Sequence, residues 1–212
     1  MEKTDIPYKK LFDQGQMMPV LSYNIHKLNF PDWAKSVFKI DQLEKIHELP
    51  DPAAFKNYVE RLYYRTNQLK DKVAAIYPML MELKKETIEP LLGEIERFQF
   101  PPSIRCHLSG AGTASAFHKD GEEKYGISKN VLNLWIPLTR VSGNNSIYIE
   151  DHMDSGNFHP VQLNPGELLV FDAFHLQHGS YPNDTSISRV SLDIRVVPKD
   201  ISIARSLGFY AI

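Results

Sequence analysis

The feature that most restricts what this chain can fold into is a change of period near residue 98. Before that point apolar residues recur at helical spacing. After it, short alternating or β-rich runs are separated by Gly, Asn, Asp and Pro. In the first part, Asp51-Pro52 has the form of a helix start, with Asp as N-cap and Pro in the first turn. Phe55, Tyr58, Val59, Leu62 and Tyr63 then make one apolar face. A second helix is predicted over 71–86, with Val73, Ile76, Tyr77 and Leu80 in register and a kink at Pro78. A third is predicted over 88–98, separated from the second near Pro90. Residues 18–26 read as an isolated strand. These stripes are the mark of core packing.

In the second part the predicted strands are 103–108, 114–118, 131–138, 146–150, 161–163, 167–171 and 189–197. Gly110-Ala-Gly112, Ser142-Gly143-Asn144-Asn145, Asn164-Pro165-Gly166 and Pro182-Asn183-Asp184 punctuate them. Short strands at this spacing predict a sandwich or barrel. A chain of 212 residues, 42% hydrophobic and 24% charged, is long enough for one domain with a substantial core. The expectation is a single domain over 1–212, helical over 1–97, with a β core over 98–200.

The formal charge of −2 supplies no basic field for nucleic acid. No run of about 18 apolar residues suggests a membrane span, and the polar start has no signal-peptide core. Cys106 is the sole cysteine, so neither an intrachain disulfide nor a multi-cysteine zinc site is available. It is expected to be a small core residue. A cytoplasmic location fits, and oligomeric state is not readable.

Chemistry concentrates in three places. His118 and Asp120 are two apart, so on a strand end both point to one side. His178 follows 58 residues later, at the end of a strand-like segment that also holds His175 as a rival. The two lie on opposite sides by strand parity, and the His-Gly-Ser context favours His178. Two imidazoles and one carboxylate on one face of an iron leave positions open for a bidentate 2-oxo acid and O₂. Arg189 comes 11 residues after His178, with Ser191 on the same strand face. An Arg fork grips a carboxylate bidentately, and a serine hydroxyl adds one hydrogen bond. The bland readings are a surface His–Asp pair, a turn histidine, and an Arg189–Asp193 ion pair.

His118-x-Asp120, His178-Gly-Ser180 and Arg189-x-Ser191, in this order, resemble the Fe(II)/2-oxoglutarate-dependent dioxygenase superfamily. The spacing is similar to its phytanoyl-CoA dioxygenase-like branch and to bacterial secondary-metabolite oxygenases of the streptomycin-biosynthesis type. The resemblance covers about residues 98–200. It implies a mainly β fold with α: a double-stranded β-helix, the jelly-roll or cupin-like barrel, with N-terminal helices packed on one sheet. It also implies Fe(II), 2-oxoglutarate and O₂, a small-molecule substrate oxidised by a hydroxylase-type reaction, and release of succinate and CO₂. Asp120 stands where halogenases of the superfamily carry a small residue, which favours hydroxylation.

The resemblance further suggests Asn133, Trp135 and Ser180 as co-substrate contacts. Arg105, His107 and Tyr148 are candidates for substrate contact. Residues 121–130 are expected to form a lid, and 151–159, with His152, Asp154 and His159, a solvated loop. The competing classes are a cupin-type metal enzyme that does not use 2-oxoglutarate, and a catalytically silent binding protein on the same barrel.

Overall fold

The computed structural model describes residues 8–11, 18–50 and 70–210. The helix predicted from Asp51, with its Phe55 to Tyr63 face, lies outside the described residues. In chain order the elements begin with β1 (Lys9–Lys10), β2 (Pro19–Ser22) and α1 (Phe30–Phe38), then α2 (Lys70–Leu83) and α3 (Glu89–Leu92). Strands β3 (Ile95–Phe98), β4 (Ser103–His107), β5 (Leu132–Pro137), β6 (Tyr148–Glu150) and β7 (Phe158–Pro160) follow. The series ends with β8 (Glu167–Phe171), β9 (His178–Gly179), β10 (Arg189–Pro198) and α4 (Ile201–Ser206).

The strands form two antiparallel sheets. The larger runs β1-β2-β8-β5-β10-β3, with β4 also paired to β10; the smaller runs β7-β6-β9. Alternation along β10 sets the architecture. Val190, Leu192, Ile194 and Val196 join a core shared with the helices. Arg189, Ser191, Asp193 and Arg195 point to the opposite face, where Arg189, Asp193 and Arg195 line a cleft. The same parity holds in β5: Leu132, Leu134 and Ile136 face the helices, and Asn133 and Trp135 face the cleft. A second core joins the cleft face to the small sheet through Val20, Trp135, Leu169, Phe171, Ile147 and Ile149. The helices thus cover one face of the large sheet and the small sheet covers part of the other. This is a mainly antiparallel β fold with a few helices. A closed barrel is not seen among the described residues.

Several elements differ from the sequence-based expectation. Residues 18–26 hold no isolated strand, because β2 pairs with β8 from Val20↔Leu169 to Ser22↔Glu167. α1 was not predicted, although its signals are present. Asn29 caps it by accepting from the Asp32 amide at 3.0 Å, and Pro31 occupies the first turn. Phe30, Trp33, Ala34, Val37 and Phe38 bury one face.

The second helix runs through Pro78, and the irregularity falls later, in a π-helical stretch at Lys84–Ile88. Its buried stripe is Ile76, Leu80 and Leu83, while Tyr77 is exposed. The third predicted helix stops at Leu92. Gly93 takes φ +73°, and Ile95–Phe98 is a strand paired with the end of β10. Residues 114–118 are not a strand; His118 makes a single bridge to His178. Around 161–163 only Leu163 bridges, to Val141, and the strand there is β7. No helix among the described residues is long and apolar enough to cross a membrane. Cys106 is buried, which pushes its thiol up to about 12.

Candidate metal centre and carboxylate pocket

The centre is built where two chain segments run against each other. His118 and His178 exchange both backbone hydrogen bonds, each at 3.0 Å. Two residues on, the Asp120 amide donates to Ala173 O at 2.8 Å and the Gly121 amide to Phe174 O at 3.1 Å. This close approach needs glycine. A Cβ on Gly179 would lie 2.8 Å from Phe117 Cα, and one on Gly121 would lie 2.5 Å from Phe174 O. The glycine of the His-Gly-Ser motif is therefore a packing requirement.

As a result the ligand-type atoms of His118, Asp120 and His178 all lie within 4.8 Å of one another, and among the described residues no other such group occurs. The two imidazoles are 4.5 Å apart between ring centroids. Nδ1 of His118 lies 2.8 Å from Ala116 O, and Nδ1 of His178 lies 3.1 Å from Leu176 O. A carbonyl oxygen only accepts, so each Nδ1 carries the proton. In the neutral ring each Nε2 is then left with its lone pair.

The His118 Nε2 faces Asp120 Oδ1 at 3.6 Å. Electron-rich atoms converging in this way are stabilised when a cation sits among them. The hydrogen-bonding interaction with Asp120 raises the His118 pKa, against the effect of burial. Burial, helped by the charge of His118, lowers His178 to about 4. Burial alone raises the Asp120 carboxyl, but His118 and the Arg195 charge together outweigh it and hold it at about 2. The carboxylate is ionised at neutral pH. The donor set of two imidazole nitrogens and one carboxylate fits Fe(II).

The cleft beside this trio reaches inward to Arg189, Asn133 and Trp135. Arg189 is 1% exposed, yet its Nε and Nη1 have no hydrogen-bond partner. Ser191 Oγ, Trp135 Nε1 and Asn133 Oδ1 are buried and unpartnered as well. Burial lowers the Arg189 pKa to about 10, which leaves it charged at neutral pH. The ion pair considered for Arg189 is absent, because Asp193 pairs with Arg105. Two unpartnered donors on a buried guanidinium are costly, and an anion would satisfy them. Its surroundings are those of a site shaped for an anion.

Other candidates sit elsewhere. Arg105 lines the cleft next to Asp193. His107 is buried outside the lining, with Nε2 on Gly112 O at 3.1 Å. Ser180 accepts from the Ala114 and Ser115 amides at 3.0 and 3.1 Å, so its hydroxyl fastens the segment leading to His118 and does not line the cleft. Tyr148 donates to Asn144 Oδ1 at 2.6 Å and also lies outside the lining. His175 is held on Asp172 at 2.7 Å, away from the trio. In the loop over 121–130, the Tyr125 ring comes back to 5.3 Å from the His118 ring. His152, Asp154 and His159 are exposed.

Sequence reasoning did not place Arg195 on Asp120. Its Nε and Nη2 donate to Asp120 Oδ2 at 3.2 and 3.0 Å. Parity with Arg189 was the available signal. Gln99 and Ser103 also line the cleft, together with the apolar Ile147 and Phe171.

A fold and site of this kind define a β-rich protein with, among the described residues, one compact His–Asp–His cluster and a buried arginine with two unpartnered donors in the same cleft. The chain is 30% identical over 182 residues to the streptomycin biosynthesis protein StrG of Streptomyces griseus, an alignment covering 84% of each chain. It belongs to the StrG family. No family model matches it. Among solved structures, a non-heme monooxygenase, ThoJ in complex with nickel, is similar at 19% identity and a TM-score of 0.43, over 57% of this chain and 50% of that one. AviO1 of Streptomyces viridochromogenes Tue57 is similar at 20% identity and a TM-score of 0.41, over 57% of each chain. Likeness at this level is partial and carries nothing about chemistry.

Proposed function

We propose that the protein is an Fe(II)- and 2-oxoglutarate-dependent oxygenase that hydroxylates or otherwise oxidises a small polar metabolite, on a sandwich that is an open form of the double-stranded β-helix. The observation that carries this reading is the buried Arg189 with unpartnered Nε and Nη1, in the cleft that holds His118, Asp120 and His178, with the unpartnered Trp135 Nε1 in the same lining and Ser191 Oγ buried and unpartnered on the same strand face. A cupin-type enzyme without a 2-oxo acid needs no such clamp, and a silent binding protein needs no trio.

His118, Asp120 and His178 would hold Fe(II) through Nε2, one carboxylate oxygen and Nε2. Bound iron supplies activation of O₂ for a reaction whose balance is 2-oxoglutarate plus O₂ plus R–H giving succinate, CO₂ and R–OH. The chain's own contribution is orientation. The Ala116 and Leu176 carbonyls fix both imidazole tautomers. Arg189 pairs with the distal carboxylate of 2-oxoglutarate, and Ser191 and Trp135 add donors. Asn133 is polar wall on the same face. Gln99, Ser103, Arg105 and Asp193 offer the substrate hydrogen-bond partners, beside the apolar Ile147 and Phe171.

The test is anaerobic titration of the Fe(II)-loaded protein with 2-oxoglutarate, followed by assay of succinate formation with pools of polar metabolites. The reading expects 2-oxoglutarate to bind only when metal is present, with a new weak visible absorption band. Metal binding at the trio with no 2-oxoglutarate binding would leave the cupin-type alternative.

A further inference from the structure

The geometry assigns Arg195 as a positioning residue that makes Asp120 offer a single oxygen, Oδ1, to the metal. The inference rests on the proposed function and concerns a residue that reading does not use. A carboxylate beside a cation can give one oxygen or both. Here both side-chain donors of Arg195, Nε and Nη2, converge on Oδ2. Oδ1 is left as the oxygen facing His118 Nε2.

The arginine is itself held in place. Gln99 Oε1 accepts from the Arg195 amide at 3.0 Å, and the Gln99 amide donates to Arg195 O at 2.9 Å. On the other side Arg195 is paired with Asn133 in β5. The Asp120 end is fixed by its amide on Ala173 O. The backbones that carry both side chains are thus held by two strands and one loop, and the pair itself rests on the two Arg195 donors to Oδ2.

The choice has a chemical consequence. Three single-atom ligands leave three positions of an octahedral ion open, two for a chelating 2-oxo acid and one for O₂. If Oδ2 joined Oδ1 on the metal, one of those positions would be filled. Arg195 therefore keeps the third position open without touching metal or co-substrate.

The experiment is crystallography of Mn(II)-loaded wild type, R195M and R195K without 2-oxoglutarate, with 2-oxoglutarate titration of the same loaded proteins. Wild type is expected to bind Mn(II) through Asp120 Oδ1 alone. In R195M both Asp120 oxygens should reach the ion, and 2-oxoglutarate affinity should fall about 10- to 100-fold. R195K, which keeps a charged donor, should restore single-oxygen ligation and part of the affinity. Single-oxygen ligation in R195M, or unchanged 2-oxoglutarate affinity, overturns the role of Arg195. If R195M does not fold, R195Q replaces it, and the same two outcomes decide. Wild type that binds no Mn(II) overturns both this inference and the proposed function. Wild type that binds it while H118A does not, with R195M unchanged, overturns the inference alone.

Discussion

His118 and His178, separated by 60 positions in the chain, are joined as a reciprocal backbone pair with both hydrogen bonds at 3.0 Å. The pairing sets their rings side by side. In each case the ring proton goes to the carbonyl two residues earlier, Ala116 for one and Leu176 for the other. One geometric motif, used twice, presents two metal-seeking nitrogens to the same point.

The first prediction concerns that point. His118→Ala and Asp120→Ala each remove one of three ligand groups and should abolish divalent metal binding and turnover. His175→Ala should leave both near wild type, because His175 is held on Asp172. Calorimetric titration with Mn(II) or Ni(II) checks it. Wild-type affinity in Asp120→Ala would discard the trio.

Arg189 gives a graded series. A charge-assisted bond contributes roughly 1.5–3 kcal/mol. Arg189→Ala should therefore weaken 2-oxoglutarate binding by about 10- to 100-fold or more. Arg189→Lys should fall between, since the charge stays and the fork is lost. Ser191→Ala should lose about 1 kcal/mol. Metal affinity without 2-oxoglutarate should stay within a few-fold of wild type, on the order of 0.5–1 kcal/mol. If all three variants bind 2-oxoglutarate normally, it is not the co-substrate.

The same arginine has the opposite effect on the empty protein. Its unpartnered Nε and Nη1 are buried, so Arg189→Met should raise stability in the absence of ligand by about 1–3 kcal/mol. Wild type should regain the advantage when 2-oxoglutarate and metal are added, by about 2.7 kcal/mol at a hundredfold excess over Kd. Thermal unfolding with and without the ligands reads both signs. A loss of stability in the empty variant would show that Arg189 supports the fold and is not held ready for an anion.

Much of this was legible from parity. Two-residue periods grouped Asn133 with Trp135, and Arg189 with Ser191; the resemblance chose the face of Asn133 and Trp135, and the structure puts Asn133, Trp135 and Arg189 in the cleft lining with their sequence neighbours in the core. What parity does not contain is where along a strand the cleft ends. His107 shares the face of Arg105, yet sits at the strand end opposite Arg189 and is closed over by Gly112. Ser180 lies beside His178 but is drawn into binding residues 114 and 115. The role of Arg195 depends on Asp120, which comes from a loop whose path no strand period describes. Ile95–Phe98 was read as helix because it follows a helical stretch. The positive φ at Gly93 turns it into a strand.

His107 yields a pH prediction. Burial, with the nearby Arg189 charge, lowers its folded pKa from 6.5 to about 4. The folded protein keeps the ring neutral while the unfolded chain takes up a proton. Stability is therefore full above about pH 6.5 and falls by about 1.4 kcal/mol per pH unit down to about pH 4, where the loss levels off. Urea unfolding at pH 7, 6, 5 and 4 should show a shallower fall for His107→Gln than for wild type. Parallel curves would remove His107 from acid sensitivity.

Gly179→Ala tests the close approach behind the metal centre. The added carbon would meet Phe117 backbone at 2.8 Å, and backbone cannot step aside as a flexible side chain can. A destabilisation of about 1–3 kcal/mol is expected, together with weaker metal binding as the two segments part. A normal melting temperature with normal Mn(II) affinity would count against the tight pairing.

Strand β10 has a further consequence, for how this protein can change over generations. Four of its residues face the cleft side of the sheet and four, alternating with them, hold the helices to it. Inserting or deleting one residue would exchange the two sets, sending guanidinium and carboxylate groups into the hydrocarbon interior while aliphatic groups lined the cleft. Drift in length is closed to this strand. Variation in what the cleft accepts is thereby directed to the loops around it, where a residue can be replaced without moving its neighbours across the sheet.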